Sequence, residues 1–173
     1  DLLTHQFNAI AEVDASEYYG FYHNGDFYYC KDGKIVILKA NGTTTSIKAD
    51  LSLNIFDPFI SYKNRLFYTN RDGLFEIIDD KLQTVILFGD NAIGNSIDYK
   101  GYLLVSAYPD DYLYDGTTIY TLPFKVNQYY GQSVLDDYLV TYEGVGTNTT
   151  EAALYNFKTA TTIKLPSEVA KLK

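Results

Sequence analysis

Two histidines, one cysteine and 22 carboxylates are the residues of this chain suited to acid–base, nucleophilic or metal chemistry. The carboxylates divide into 16 Asp and 6 Glu. Many aspartates come paired, at Asp79-Asp80, Asp110-Asp111 and Asp136-Asp137, or precede glycine, at Asp32-Gly33, Asp72-Gly73 and Asp115-Gly116. Such groups suit calcium, and two of them about 5–10 Å apart suit acid–base cleavage of a glycosidic bond. The stretch from Asp110 to Gly116, however, lacks the alternating ligands and closing Glu of an EF-hand loop. All six sites also fall where a turn is expected, and Asp favours turns because its carboxylate accepts nearby backbone amides. The turn is the plainer reading of them. His5 and His23 stand in no H-x-H or H-E-x-x-H pattern, and no C-x-x-C accompanies them, so a structural zinc site has no ligand set. No G-x-S-x-G supports a serine nucleophile, and no motif calls for a cofactor. Cys30, as the only cysteine, forms no intrachain disulfide; between Tyr29 and Lys31 it reads as a small hydrophobe within a strand.

Charge removes further classes. The net charge of −8 repels phosphate backbones and anionic bilayers, so nucleic acid is not an expected partner. The longest apolar runs, Ile35–Leu38 and Val85–Phe88, are strand-sized, far short of the roughly 20 residues of a spanning helix, so no membrane insertion is expected. The chain carries 18 Tyr and 10 Phe but no Trp and no Met. Tyrosine suits a half-buried pleated surface, where its ring packs and its hydroxyl stays wet. A first residue Asp1 and the lack of Met point to a processed product or a piece of a larger parent chain, and no basic-then-apolar leader opens it.

The elements that must position these residues follow from self-similarity. Four segments align: Asp26–Cys30, Arg65–Thr69, Tyr102–Ser106 and Tyr138–Tyr142, with starts 39, 37 and 36 residues apart. Before each stands a two-residue turn: Asn24-Gly25, Lys63-Asn64, Lys100-Gly101 and Asp136-Asp137. Asn-Gly is a strong hairpin signal because both central residues of a type I′ turn need positive φ. The turns imply preceding strands at 18–23, 59–62, 96–99 and 132–135. Asp32-Gly33 and Asp72-Gly73 lead to third strands at 35–39 and 74–78. Fourth strands are expected at 44–48, 84–88, 117–122 and 161–165, after turns at Asn41-Gly42, Asp79-Asp80, Asp115-Gly116 and Lys158-Thr159. Each unit is an antiparallel meander.

An isolated meander of this size cannot bury its faces, so neighbours must stack on it. The strings Phe27–Gly33 and Leu66–Phe75, in which an aromatic strand leads through Asp-Gly to another apolar strand, resemble blades of the β-propeller repeat superfamily. The Trp-Asp and Gly-Gly pairs of two large propeller families are absent. The resemblance implies an all-β, propeller-like fold of four antiparallel four-stranded blades, at about 17–57, 58–95, 96–130 and 131–166, in one repeat domain over 1–173. An alternating segment at 6–13 reads as a leading strand. The competing fold is a β-sandwich or barrel of hairpins. Four blades fit a closed ring, half of an eight-bladed ring completed by a second copy, or part of a longer propeller.

A rigid scaffold of this kind presents function on its loops. The connections over 49–58, 89–95, 107–111, 123–131 and 143–150 would gather Asp57, Asn91, Tyr108, Asp110, Tyr129, Tyr130 and Glu143 on one face. Tyr with Asp and Asn is a composition that holds sugars by stacking and hydrogen bonding, and equally one of protein contact surfaces. The expected function is a non-catalytic binding or assembly module contacting proteins or glycans. Its composition is that of exposed attachment or decoration proteins at a cell surface or on a virion. The alternatives are a glycoside hydrolase or lyase using Asp57, Asp90, Asp110 or Glu143, and a structural part of a homo-oligomeric ring. Two N-x-[ST] sequons, at Asn41 and Asn148, fall in expected turns.

Overall fold

A computed structural model describes residues 20–49, 58–88, 95–99, 101–107, 110–124, 134–143, 151–166 and 168. They form four four-stranded antiparallel sheets, each a meander in chain order. The first contains β1 (Gly20–His23), β2 (Asp26–Lys31), β3 (Lys34–Leu38) and β4 (Thr44–Lys48). The second contains β5 (Phe59–Tyr62), β6 (Arg65–Thr69), β7 (Gly73–Ile78) and β8 (Lys81–Leu87). In the third are β9 (Asn95–Tyr99), β10 (Tyr102–Ser106), β11 (Asp111–Tyr114) and β12 (Ile119–Leu122). The fourth holds β13 (Val134–Leu135), β14 (Tyr138–Glu143), β15 (Glu151–Asn156) and β16 (Thr161–Lys164). The fold is all-β and propeller-like. The expected leading strand at 6–13 lies outside the described residues.

Hairpin chemistry sets the register. Asn24-Gly25, Asp32-Gly33, Lys63-Asn64 and Asp79-Asp80 all have positive φ at both positions, the requirement of a type I′ turn. Asp72-Gly73 also leads from a turn into a third strand, but by another geometry. The Asn70 side chain accepts the amides of Asp72 and Gly73 at 2.9 and 3.0 Å, making an Asx turn, and Gly73 already belongs to β7. There the glycine is needed for close approach, since a Cβ would lie 2.1 Å from the Ile86 carbonyl oxygen. The cause is a bulge: register shifts between Leu74 and Phe75, so Val85 and Ile86 both face the next sheet. β8 correspondingly begins at Lys81, earlier than the sequence pattern implies.

Packing between sheets follows strict alternation along each second strand. We call the side of a sheet toward the preceding one its front and the other its back. Tyr28, Ile35, Ile37 and Ile47 on the back of the first sheet meet Phe59, Leu66 and Tyr68 on the front of the second. Phe67, Leu74 and Ile86 on the back of the second meet Leu103 and Val105. Leu104, Leu113 and Leu122 of the third meet Leu139 and Tyr155 of the fourth. First strands β5 and β9 of neighbouring sheets also touch. Among the described residues no hydrophobic cluster joins the fourth sheet to the first.

Candidate functional site

Of the loop residues expected to converge, Asp57, Asn91, Tyr108, Tyr129 and Tyr130 lie outside the described residues, as does Asp90. Asp110 is half-buried in the connection from β10 to β11, where its carbonyl accepts the Ala107 amide at 3.2 Å. Glu143 is the last residue of β14 and pairs in register with Glu151. Asp110 therefore belongs to a connection of the third meander and Glu143 to the fourth sheet. Among the described residues no group of three His, Cys, Asp or Glu side chains is arranged to hold a metal ion.

One turn carboxylate, Asp115, is engaged by its own turn. Asp115 accepts the Thr117 and Thr118 amides and the Thr117 hydroxyl at 2.8 Å, and the Tyr120 hydroxyl at 3.1 Å. Burial opposes its charge, but these donors outweigh it and hold the carboxyl down at about 2, below the ordinary 3.8. A depressed native value means stability that is present above pH 3.8 and is lost as the pH falls toward 2. The Asp115→Asn variant is therefore expected to show a flatter stability profile across that window. Urea midpoints at about pH 5 and about pH 2.5 measure this, and equal slopes for both proteins would refute it. Asn41 and Asn156 make the same kind of turn, each accepting amides two or three residues on at 3.0 Å.

Polar latches cross from each of the first two sheets to the next. Lys39 donates to Asp80 of the second sheet at 2.6 Å and lies 3.5 Å from Asp26 of its own, while Thr45 donates to Asp80 at 3.1 Å. The hydrogen bond to Asp80, reinforced by both carboxylates against partial burial, keeps the Lys39 ammonium charged to higher pH than usual. One repeat later Arg65 reaches the third sheet. It donates to the Gly116 carbonyl at 2.6 Å and to the Tyr114 hydroxyl at 3.1 Å, while its fork grips Glu76 in two hydrogen bonds, one of them 2.7 Å long. Its guanidinium also stacks over Phe67 and Tyr114. Beside it Lys63 donates to the Asp115 carbonyl at 2.5 Å. In both cases a cation at the first sheet's hairpin end grips the turn between third and fourth strands of the next. Between the third and fourth sheets aromatics take this place, with Tyr102 and Tyr120 edge-on to Phe157 at 5.2 Å. The sequence signal for the second latch was a lone Glu inside the apolar strand Gly73–Ile78, together with one of only two arginines. Cys30 takes part in none of this: burial pushes its thiol up to about 12, leaving it protonated at neutral pH.

The two ends of the row differ from its interior. Leu66, Tyr68, Leu103, Val105 and Leu139, the front-facing residues of the inner second strands, are all buried. Phe27 and Tyr29 stand at the equivalent positions of the first sheet and are only half-buried. Around them Tyr22 is 70% exposed, Val36 and Leu38 are half-buried, and Lys31, Lys34 and Lys48 frame the face. A depression of about 290 Å³ lies here, lined by Lys31, Lys34, Val36, Thr44 and Ser46 among others. On the back of the fourth sheet, Val140 and Leu154 are half-buried and Ile163 is 51% exposed. Their counterparts Phe67 and Leu104 are fully enclosed.

No family model matches the chain, and no curated protein matches it. Among solved structures it is similar to a streptogramin B lyase, with TM-score 0.48 and 10% identity over 89% of this chain and 56% of that one. It is likewise similar to the selenomethionine-substituted virginiamycin B lyase from Staphylococcus aureus, with TM-score 0.48 and 13% identity over 84% of this chain and 54% of that one. The chain spans about half the length of each. At that level the likeness carries no argument about activity.

Proposed function

We propose that this chain is a non-catalytic binding or assembly module whose working surfaces are the uncovered faces at the two ends of its row of blades. The observation that supports this reading is the contrast in burial at equivalent positions: Leu66, Leu103 and Leu139 are at most 3% exposed, whereas Phe27, at the same place in the first sheet, is not enclosed. A pleated face carrying Phe27, Tyr29, Val36 and Leu38 loses free energy by staying wet, and burial recovers about 25 cal/mol per Å² covered. The apolar stripe of Phe27, Tyr29, Val36 and Leu38 suits the apolar centre of a protein interface, with the polar lining of the adjoining depression, Lys31, Lys34, Thr44 and Ser46, beside it. The partner in this reading is a protein.

The test is retention on immobilised protein. Wild-type chain is expected to retain protein partners that are lost when Tyr22→Lys with Val36→Lys, or Ile163→Lys with Val140→Lys, charges one end face. Partners unaffected by either pair, but lost on substituting the loop residue Asp110, would overturn the reading in favour of the loop face.

A further inference from the structure

The occupant of the end faces follows from the interfaces already built three times within the chain. Each of the three hydrophobic clusters among the described residues joins the back of one sheet to the front of the next. Such a contact is heterologous, so among the described residues the row of blades leaves one unmatched front, on β1–β4, and one unmatched back, on β13–β16. The surface that complements an unmatched front is a blade back with apolar residues at the positions of Tyr28, Phe67 and Leu104. This chain carries one more of these, with Val140 and Leu154 in those places.

Resting on the reading above, we propose that two copies join head to tail, the back of β13–β16 in each covering the front of β1–β4 in the other. Two such contacts related by a two-fold axis close a ring, which is the condition for a heterologous contact to stop at a finite assembly. With four sheets in each copy the ring has eight blades, within the usual range of about 4–8 for propellers. In that ring the exposed Asn41-Gly42 turn of one copy stands where Asp80 and Gly116 receive Lys39 and Arg65 inside the chain.

Sedimentation velocity and mass determination test the proposal on the whole chain. The expected result is a particle of twice 19.6 kDa. The front variant, Tyr22→Lys with Val36→Lys, and the back variant, Ile163→Lys with Val140→Lys, are each expected to run as monomers with unchanged circular dichroism. Mixed together they are expected to form a one-to-one pair, because one intact back then meets one intact front. That complementation separates a head-to-tail contact from a symmetric one, in which either variant would still pair with itself through its unaltered face. Should either double variant fail to fold, the single exchanges Tyr22→Lys and Ile163→Lys, at positions 70% and 51% exposed, carry the same mixing test. A monomeric wild-type chain at about 100 μM overturns the proposal, since it places any contact well short of the micromolar range. Hydrogen exchange on that monomer then separates the two readings. End faces that exchange freely refute only the second copy; end faces as protected as the internal interfaces refute the proposed function as well, because the ring would close within one chain. Variants that remain dimeric alone, or a mixture that stays monomeric, overturn the head-to-tail contact.

Discussion

Phe67→Ala is expected to destabilise the chain by about 3–5 kcal/mol, the range for emptying a fully buried aromatic site. Phe67 is 0% exposed and holds the interface between the second and third sheets. Its ring meets Tyr114 edge-on at 5.9 Å and Tyr62 at 6.3 Å, and it carries the Arg65 guanidinium at 5.2 Å. Loss of that much is a large part of the roughly 5–15 kcal/mol that holds a domain together. Among the described residues each hydrophobic cluster joins neighbouring sheets, so stability is treated as a sum of sheet terms and nearest-neighbour interface terms. Emptying the middle interface is therefore expected to split urea unfolding into two transitions, one for β1–β8 and one for β9–β16. Leu87→Ala, at a side chain 67% exposed, is the control and should change stability by about 0.5 kcal/mol or less. If Phe67→Ala matched that control, the account of stacked blades would fail.

Arg65→Met is expected to cost about 3 kcal/mol, at the low end for breaking a buried ion pair because a third of the Arg65 side chain remains exposed. The substitution leaves the Glu76 carboxylate, only 10% exposed, without its cation. It also removes the donors that grip Gly116 and Tyr114 of the next sheet. Replacing both partners, as Arg65→Met with Glu76→Leu, is expected to restore most of the loss, since no charge then stays buried unpaired. A double-mutant cycle from chemical denaturation measures the coupling. Additive single effects would show that the pair does not act as a unit.

How far the sequence reaches depends on the range of the interaction concerned. The turns at Asn24-Gly25 and Lys63-Asn64 were legible because positive φ at two adjacent residues is a local demand, met by local chemistry. The second strands were legible because they recur with matching turns in front of them. Asp72-Gly73 marked its turn for a reason the sequence does not carry, because the same dipeptide serves two purposes: in Asp32-Gly33 it supplies positive φ, whereas Gly73 makes room for the Ile86 carbonyl across a bulge. That need arises on a neighbouring strand and leaves no mark within the dipeptide itself. The third strands at Asp111–Tyr114 and Glu151–Asn156 follow connections without an Asp-Gly signal, so their starts were not evident.

The end faces show the same division more sharply. Alternation in Phe27–Lys31, Leu66–Thr69 and Leu103–Ser106 assigns each side chain to a side, and it does so identically in all repeats. The amino-acid sequence alone therefore determined the meander, its turns and which residues share a face, because strand period and hairpin geometry act over a few residues. It assigned Tyr29 and Tyr68 equivalent places. Only the tertiary structure decided that Tyr68 is 1% exposed and that Tyr29 is left half-open, because burial depends on which sheet stands opposite. The same holds for Arg65: Glu76 reaches it from the next strand of its own sheet, but Tyr114 and Gly116 lie 49 and 51 residues away, and only stacking of separate sheets brings them to it.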